Sequence, residues 1–277
     1  MANTQSRPKS FVQTVIPLAK TLQFYWFIGH VSSLVFFTFD FLFSFINKSK
    51  ALKFYQLTLV SVIITYSIVI KQVHLKNSWN VAKLLQLQSF KDENIQYLSL
   101  SLVFLLASFK IGPVNGYYSL IVFSIFHVLH YFQKNLLPSL PISIAGQQSI
   151  NSKINHFTSN YSQQALLVAA NMEVFLPLAL LMKSFLLVFM IFKDPAYVLV
   201  YLFTLASIVV FIKLRYNDNK YTQDVIQQWD YKISTVLNHP QLQAYPLSNL
   251  YHQNFKALVA KYIGPIRIAP KPSKKTQ

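Results

Sequence analysis

The sequence predicts an all-α fold of integral membrane helical hairpins carrying a cytosolic amphipathic-helix tail. Three observations predict it. Of 277 residues, 53% are hydrophobic and only 12% charged, against about 25% charged in soluble domains. A soluble fold of this size has too little polar surface to hide that much apolar area, and disorder needs the opposite composition. Second, the apolar residues fall in long continuous runs. A membrane barrel would instead alternate over segments of about ten residues. Third, 25 Lys+Arg face 8 Asp+Glu, a formal charge of +17, which suits the anionic cytosolic face of a membrane. Nucleic acid is the competing partner for such charge, and no nucleic-acid fold or motif accompanies it.

Residues 1–21 are polar and basic (Arg7, Lys9, Lys20), with no apolar core ahead of a small-residue cleavage site, so no removable signal is expected. Six apolar runs follow, over residues 22–46, 54–70, 95–109, 117–132, 165–192 and 196–212. Most approach the roughly 20 residues a spanning helix needs. The third and fourth are short, and a wedge that enters without crossing is an alternative to a full hairpin. Between them Lys110-Ile-Gly-Pro-Val-Asn-Gly116 marks a turn. Pro195, lacking an N–H, makes another after Lys193-Asp194. Trp79, Ala82, Leu84 or Leu85, and Leu87 recur at helical spacing as an interfacial helix candidate.

The domain reading is therefore a cytosolic N-terminal segment (1–21), a membrane domain in three hairpins (22–212) and a basic cytosolic tail (213–277). Three hairpins place both termini on one side. That side holds 19 Lys+Arg and the opposite loops five, so both termini are expected in the cytosol. The Lys48, Lys50 and Lys53 cluster dissents, either as a lumenal exception or because the first hairpin does not cross. Lys274 and Lys275 stand at the positions of a C-terminal K-K-x-x retrieval signal for the endoplasmic reticulum, or belong to a generic basic tail.

Catalytic and metal chemistry find little support. The chain has no cysteine, which excludes disulfides, thiolate metal sites and palmitoylation. With 5 glycines it offers little for glycine-rich phosphate loops or GxxxG pairing. Neither Gly-x-Ser-x-Gly nor His-x4-Asp occurs. His127 and His130 share a helical face as half of a possible metal site, yet the other histidines (His30, His74, His156, His239, His252) are scattered, so packed or interfacial histidine is expected. No cofactor is expected. Glu173 and Lys183 are costly inside an apolar run, at about 2.5–3.5 kcal/mol each near a bilayer centre. Two readings stand: a polar pathway or substrate site, or a shallow segment with Glu173 at one interface and Lys183 snorkelling.

The tail carries two apolar stripes. One is Val225, Ile226, Trp229, Ile233, Val236 and Leu237. The other is Leu247, Leu250, Tyr251, Phe255, Leu258, Val259, Tyr262 and Ile263, with Lys256 and Lys261 off it. Either the stripes pack on the bundle or on each other, or they bind a membrane surface helped by the basic residues. The basic stretch at 271–275 is expected to be disordered, either solvated or bound by a transport receptor.

Residues 97–104 (Tyr-Leu-Ser-Leu-Ser-Leu-Val-Phe) and 123–131 (Phe-Ser-Ile-Phe-His-Val-Leu-His-Tyr) resemble the third and fourth membrane segments of the transmembrane protein 33 family. Its yeast members are pore membrane or perinuclear proteins of 33 kDa. More specific are Asn171-Met172-Glu173-Val174-Phe175-Leu176-Pro177 and Lys213-Leu214-Arg215-Tyr216. The resemblance covers roughly residues 20–265. It implies a multi-pass, non-enzymatic protein of the endoplasmic reticulum and nuclear envelope. Tubule shaping, nuclear pore distribution or assembly, and reticulon-type or nucleoporin partners come with that implication. Asn171, Glu173, Phe175, Arg215 and Tyr216 match the family pattern without a defined role.

Overall fold

The computed structural model describes residues 11–76, 82, 84, 86–242 and 245–268. Among them all regular structure is helical. Arg7, Lys9, Trp79, Leu85, the basic stretch at 271–275 and the retrieval pair Lys274/Lys275 lie outside the described residues. Of the interfacial helix candidate, Leu87 opens a short 3-10 turn, Leu87–Lys91.

The main helices are α1 (Phe11–Leu18), α2 (Leu22–Ser44), α3 (Lys48–His74), α4 (Glu93–Ile111), α5 (Tyr118–Tyr131), α6 (Ile144–Lys183), α7 (Leu187–Lys193), α8 (Pro195–Asp218) and α9 (Lys220–Leu237). Each long apolar run gives a helix, because with few waters a backbone must satisfy its own N–H and C=O groups. Polar residues punctuate the runs as caps, where a side-chain oxygen takes an orphan N–H. Thr21 caps α2 through the amide of Phe24, Asp92 caps α4 through Asn94, Asp194 caps α8 through Tyr197, and Asn219 caps α9 through Thr222. After α4 the chain turns at Gly112, whose φ of 80° a side chain would strain.

Six segments are long and apolar enough to cross a membrane: Leu22–Ser44, Lys48–His74, Glu93–Ile111, Asn115–Ser139, Ile144–Lys193 and Pro195–Asp218. They are the six expected runs; the first ends two residues earlier than expected and the other five are extended. The short third run becomes 19 residues, about 28 Å at ~1.5 Å per residue, close to the hydrocarbon thickness of about 30 Å. The larger difference is α6. Its 40 residues begin in the polar stretch before the fifth run, since Asn, Gln and Ser there are compatible with a helix that apolar periodicity does not reveal.

The chain divides into two compact units. The first comprises Met1–Lys71 and Leu120–Leu166, the second Gln72–Ser119 and Leu167–Gln277. In the first, Phe54 meets Phe36, Phe39 and Phe43 at ring separations of 6.4, 5.1 and 5.3 Å, which accounts for the phenylalanine-rich first run. Gly29 lets α2 and α3 approach, because a Cβ there would run into the Thr65 hydroxyl. Phe27 stacks on Tyr131 at 4.5 Å in a cluster with Leu136. In the second unit, Ala170, Val174 and Val225 form a core against which Leu167, Ile212, Tyr221, Ile226 and Trp229 pack.

Candidate functional site

The family-pattern residues of the second unit converge. Glu173 on α6 is 2% exposed and Arg215 on α8 is 6% exposed. Tyr97 on α4 donates its hydroxyl to Glu173 Oε1 at 2.8 Å. Arg215 Nε lies 3.7 Å from Glu173 Oε2. Neither of those atoms makes a hydrogen bond, so charge attraction alone joins them. The guanidinium continues to Glu93 Oε1 at 2.6 Å through Nη1 and lies over the Tyr97 ring at 5.2 Å. One cation therefore serves two carboxylates and one aromatic face.

Both sequence readings left Glu173 without a protein partner, and the structure supplies it with Tyr97 and Arg215. Arg215 belongs to the family pattern, but its pairing with Glu173 is not visible in the sequence: the last apolar run ends at Ile212, whereas α8 continues past Arg215 to Asp218. The signal that could have found it is general: a carboxylate in an apolar helix requires a partner. Lys183, by contrast, is exposed where α6 tightens into a 3-10 turn, Ser184–Leu186.

Two residues before and after Glu173, the same helix holds the tail. Asn171 accepts from the Trp229 indole N–H at 3.2 Å, and Phe175 approaches the Trp229 ring at 6.3 Å. With Val225 fully buried beside Ala170 and Val174, and Ile226 and Trp229 packed against them, the first half of the first tail stripe lies on α6, while Val236 farther along is exposed. Tyr216 contributes its carbonyl to Gln223 Nε2 at 2.7 Å and its ring to Lys213 Nζ at 5.3 Å.

Residues 247–263 alternate α and π turns instead of forming one regular helix. Leu247, Leu250, Phe255, Leu258 and Tyr262 are exposed, while Tyr251, Val259 and Ile263 are half-buried. Lys261 lies over the Tyr262 ring at 5.3 Å. Lys256, which lies off the stripe, reaches α9. Its Nζ pairs with Asp230 of α9 at 2.7 Å and lies 5.2 Å from the Tyr251 ring, while Tyr251 donates to Asp230 at 2.7 Å. π turns bond i to i+5 and bring residues five apart together, such as Tyr251 and Lys256, where a 3.6-residue repeat separates them. Lys256 and the Tyr251 hydroxyl hold the Asp230 carboxyl below the usual carboxylate range. Burial and Asp230 push the Tyr251 phenol up to about 12.

In the first unit two of the histidines pack together. His127 pairs with His30 and Trp26, at 4.8 and 5.0 Å. His30 Nδ1 meets Ser124 Oγ at 2.9 Å, and that hydroxyl points its own proton at the Leu120 carbonyl, 2.9 Å away. Among the described residues no group of three or more His, Asp or Glu is placed to hold a metal.

A family model for Transmembrane protein 33/Nucleoporin POM33 matches residues 3–263. The chain belongs to that family. The "Pore and endoplasmic reticulum protein of 33 kDa" of Saccharomyces cerevisiae is 36% identical over 178 residues, covering 63% of this chain and 65% of that relative. The "Pore membrane protein of 33 kDa" of the same yeast is 28% identical over 256 residues, covering 87% and 84%. "Nucleoporin POM33" of Chaetomium thermophilum is 26% identical over 246 residues, covering 79% of each. No solved structure matches the chain. Within the family pattern, Asn171, Glu173, Phe175, Arg215 and Tyr216 now have contacts: they build the joint between α6, α8 and the tail.

Proposed function

We propose that this protein is a non-enzymatic, multi-pass component of the endoplasmic reticulum and nuclear envelope that shapes membrane and contributes to nuclear pore distribution or assembly. Its membrane domain is residues 22–212, and its N-terminal segment and basic tail, 1–21 and 213–277, are both cytosolic. The relatives' names supply the residence. The observation that carries the shaping role is the tail: α9 is fastened to α6, while Leu247, Leu250, Phe255, Leu258 and Tyr262 remain exposed next to membrane-crossing helices. A wedge needs both halves, an anchor and a free apolar face. Together with Tyr251, Val259, Ile263, Lys256 and Lys261, these residues form the proposed surface for anionic, curved bilayers. Reticulon-type proteins, nucleoporins and a transport receptor acting on the basic end are the proposed protein partners, and Lys274/Lys275 the retrieval signal.

Glu173 supports a structural role better than a transport or catalytic one, since its carboxylate is engaged by Tyr97 and faced by Arg215. Imaging a tagged copy at native level tests the residence, and Leu250→Asp with Leu258→Asp tests the wedge. The double variant should keep the nuclear-envelope signal and lose tubule or pore-distribution activity. A variant with full activity would refute the wedge.

A further inference from the structure

Two spaces beside the last turns of α8 are not used by the reading above. One is a polar pocket of about 400 Å³ lined by Lys91, Lys213, Asn217, Asp218, Gln223 and Arg267. The other is an apolar groove of about 400 Å³ between α6, α8 and the tail, walled by Pro177, Leu181, Val209, Ile212, Val259 and Ile263. Lys213 and Tyr216 line both, so the two spaces meet at α8. Each lies within the range of small-molecule sites, roughly 300–1,000 Å³.

The polar pocket is short of negative charge. Lys91, Lys213 and Arg267 face a single carboxylate, Asp218, and among the described residues none of the three cations makes an ion pair. Lys213 is buried, and its Nζ is held by Asn217 Oδ1 at 2.7 Å. Asn217 Nδ2 donates in turn to the Ile266 carbonyl at 3.2 Å, which ties the chain next to Arg267 to this pocket. Three cations and one carboxylate around a concave polar site leave a local excess of positive charge, which attracts an anion.

The order along α8 identifies its kind. Val209 and Ile212 on the groove precede Asn217 and Asp218 on the pocket, by about 8 Å or more at ~1.5 Å per residue. The apolar space thus lies inside the span and the cationic space at its end, where Pro195–Asp218 stops. A lipid has the same order of acyl chain and phosphate. We propose that the two spaces form one site for a single anionic glycerophospholipid. Its phosphate sits among Lys91, Lys213 and Arg267, and an acyl chain lies in the groove under the tail. The bound lipid ties the tail to α6 and α8. This inference rests on the reading above only in taking the spans as membrane-embedded.

The test is native mass spectrometry of the full-length protein, purified and delipidated in detergent, with added phosphatidic acid, phosphatidylcholine or glycerol phosphate. One phosphatidic acid per chain should be retained. Phosphatidylcholine should bind about tenfold more weakly, and glycerol phosphate should not be retained. Lys213→Gln with Arg267→Gln should lose about tenfold in retention. Val259→Trp, which fills the groove and leaves the charges, should do the same. Lys91→Gln, at an exposed position, replaces any variant that fails to fold. Equal retention of the two lipids, or unchanged retention in the groove and charge variants, overturns the proposal. Glycerol phosphate binding as tightly as phosphatidic acid also overturns it, leaving a free-anion pocket. Failed envelope residence in cells would leave this result standing, and failed retention would leave the residence standing.

Discussion

Helix α9 and the segment 247–263 carry the same kind of signal, an apolar stripe at helical spacing, and the molecule uses the two stripes differently. Val225 of α9 is fully buried, Ile226 and Trp229 pack beside it, and Asn171 of α6 accepts the indole N–H. In the second stripe Leu247, Leu250, Leu258 and Tyr262 find no such platform and stay exposed. The difference lies in the receiving surface. Small Ala170 and the Asn171 acceptor make a seat on α6 that fits an aromatic residue. Among the described residues nothing comparable lies under the outer face of 247–263, although its inner face closes the groove. Periodicity reports that a helix has an apolar side and is silent about what covers it.

The largest expected effect comes from removing the foundation of that seat. Arg215→Leu leaves Glu173 buried with no cation, and the folded state should lose about 3–5 kcal/mol, read as a lowered thermal midpoint of the detergent-solubilised protein. Glu173→Gln should cost far less, because the amide oxygen still accepts from Tyr97 and Arg215 keeps Glu93. Equal losses in the two variants would mean that packing, and not charge, holds the joint.

Trp229→Ala comes next, at about 2 kcal/mol, below the ~3–5 of a fully buried aromatic. It should also make α9 protease-sensitive. Leu250→Asp with Leu258→Asp should change stability by less than about 0.5 kcal/mol. A reversed ranking would exchange the roles of the two stripes. Smaller still is the clasp between them: Lys256→Ala should cost about 0.2–1 kcal/mol and less in high salt, since Lys256 and Asp230 are 38% and 42% exposed. Its pH dependence has a definite sign. Asp230 titrates below its ordinary range when folded, so its contribution is present above about pH 3.9 and is lost as pH falls through the depressed value. Tyr251 contributes below the ordinary phenol pKa of about 10, and its contribution disappears as pH rises through about 12. Tail mobility followed by a fluorophore should therefore be flat between those limits. Lys274→Ser with Lys275→Ser should leave stability untouched and weaken retrieval only.

The membrane-crossing helices were legible because an apolar run can satisfy its backbone in lipid only as a helix, and caps such as Asp92, Asp194 and Asn219 are local signals. The polar first half of α6 was not legible, since no apolar stripe marks it. The joint was half legible. Glu173 stood out as a costly charge, but Tyr97, Glu93 and Arg215 are separated from it by dozens of residues, and only tertiary contact selects them. The pairing of Lys256 with Asp230 was not legible, because the two residues lie on different segments and only tertiary contact brings them together. His30 and His127 meet by packing around Trp26, which spacing within one helix does not show.

The central claim, that one tail stripe is seated on protein and the other faces lipid, can be measured directly because the chain has no cysteine. Single cysteines at Ile226, Leu250 and Leu258 of the full-length protein, labelled with an environment-sensitive fluorophore and reconstituted in anionic vesicles, would be challenged with brominated lipid and with aqueous iodide. Labels at 250 and 258 should be quenched by the lipid and protected from iodide, while the label at 226 should resist both. Iodide quenching at 250 and 258 without lipid quenching, or lipid quenching equally strong at 226, would contradict the claim.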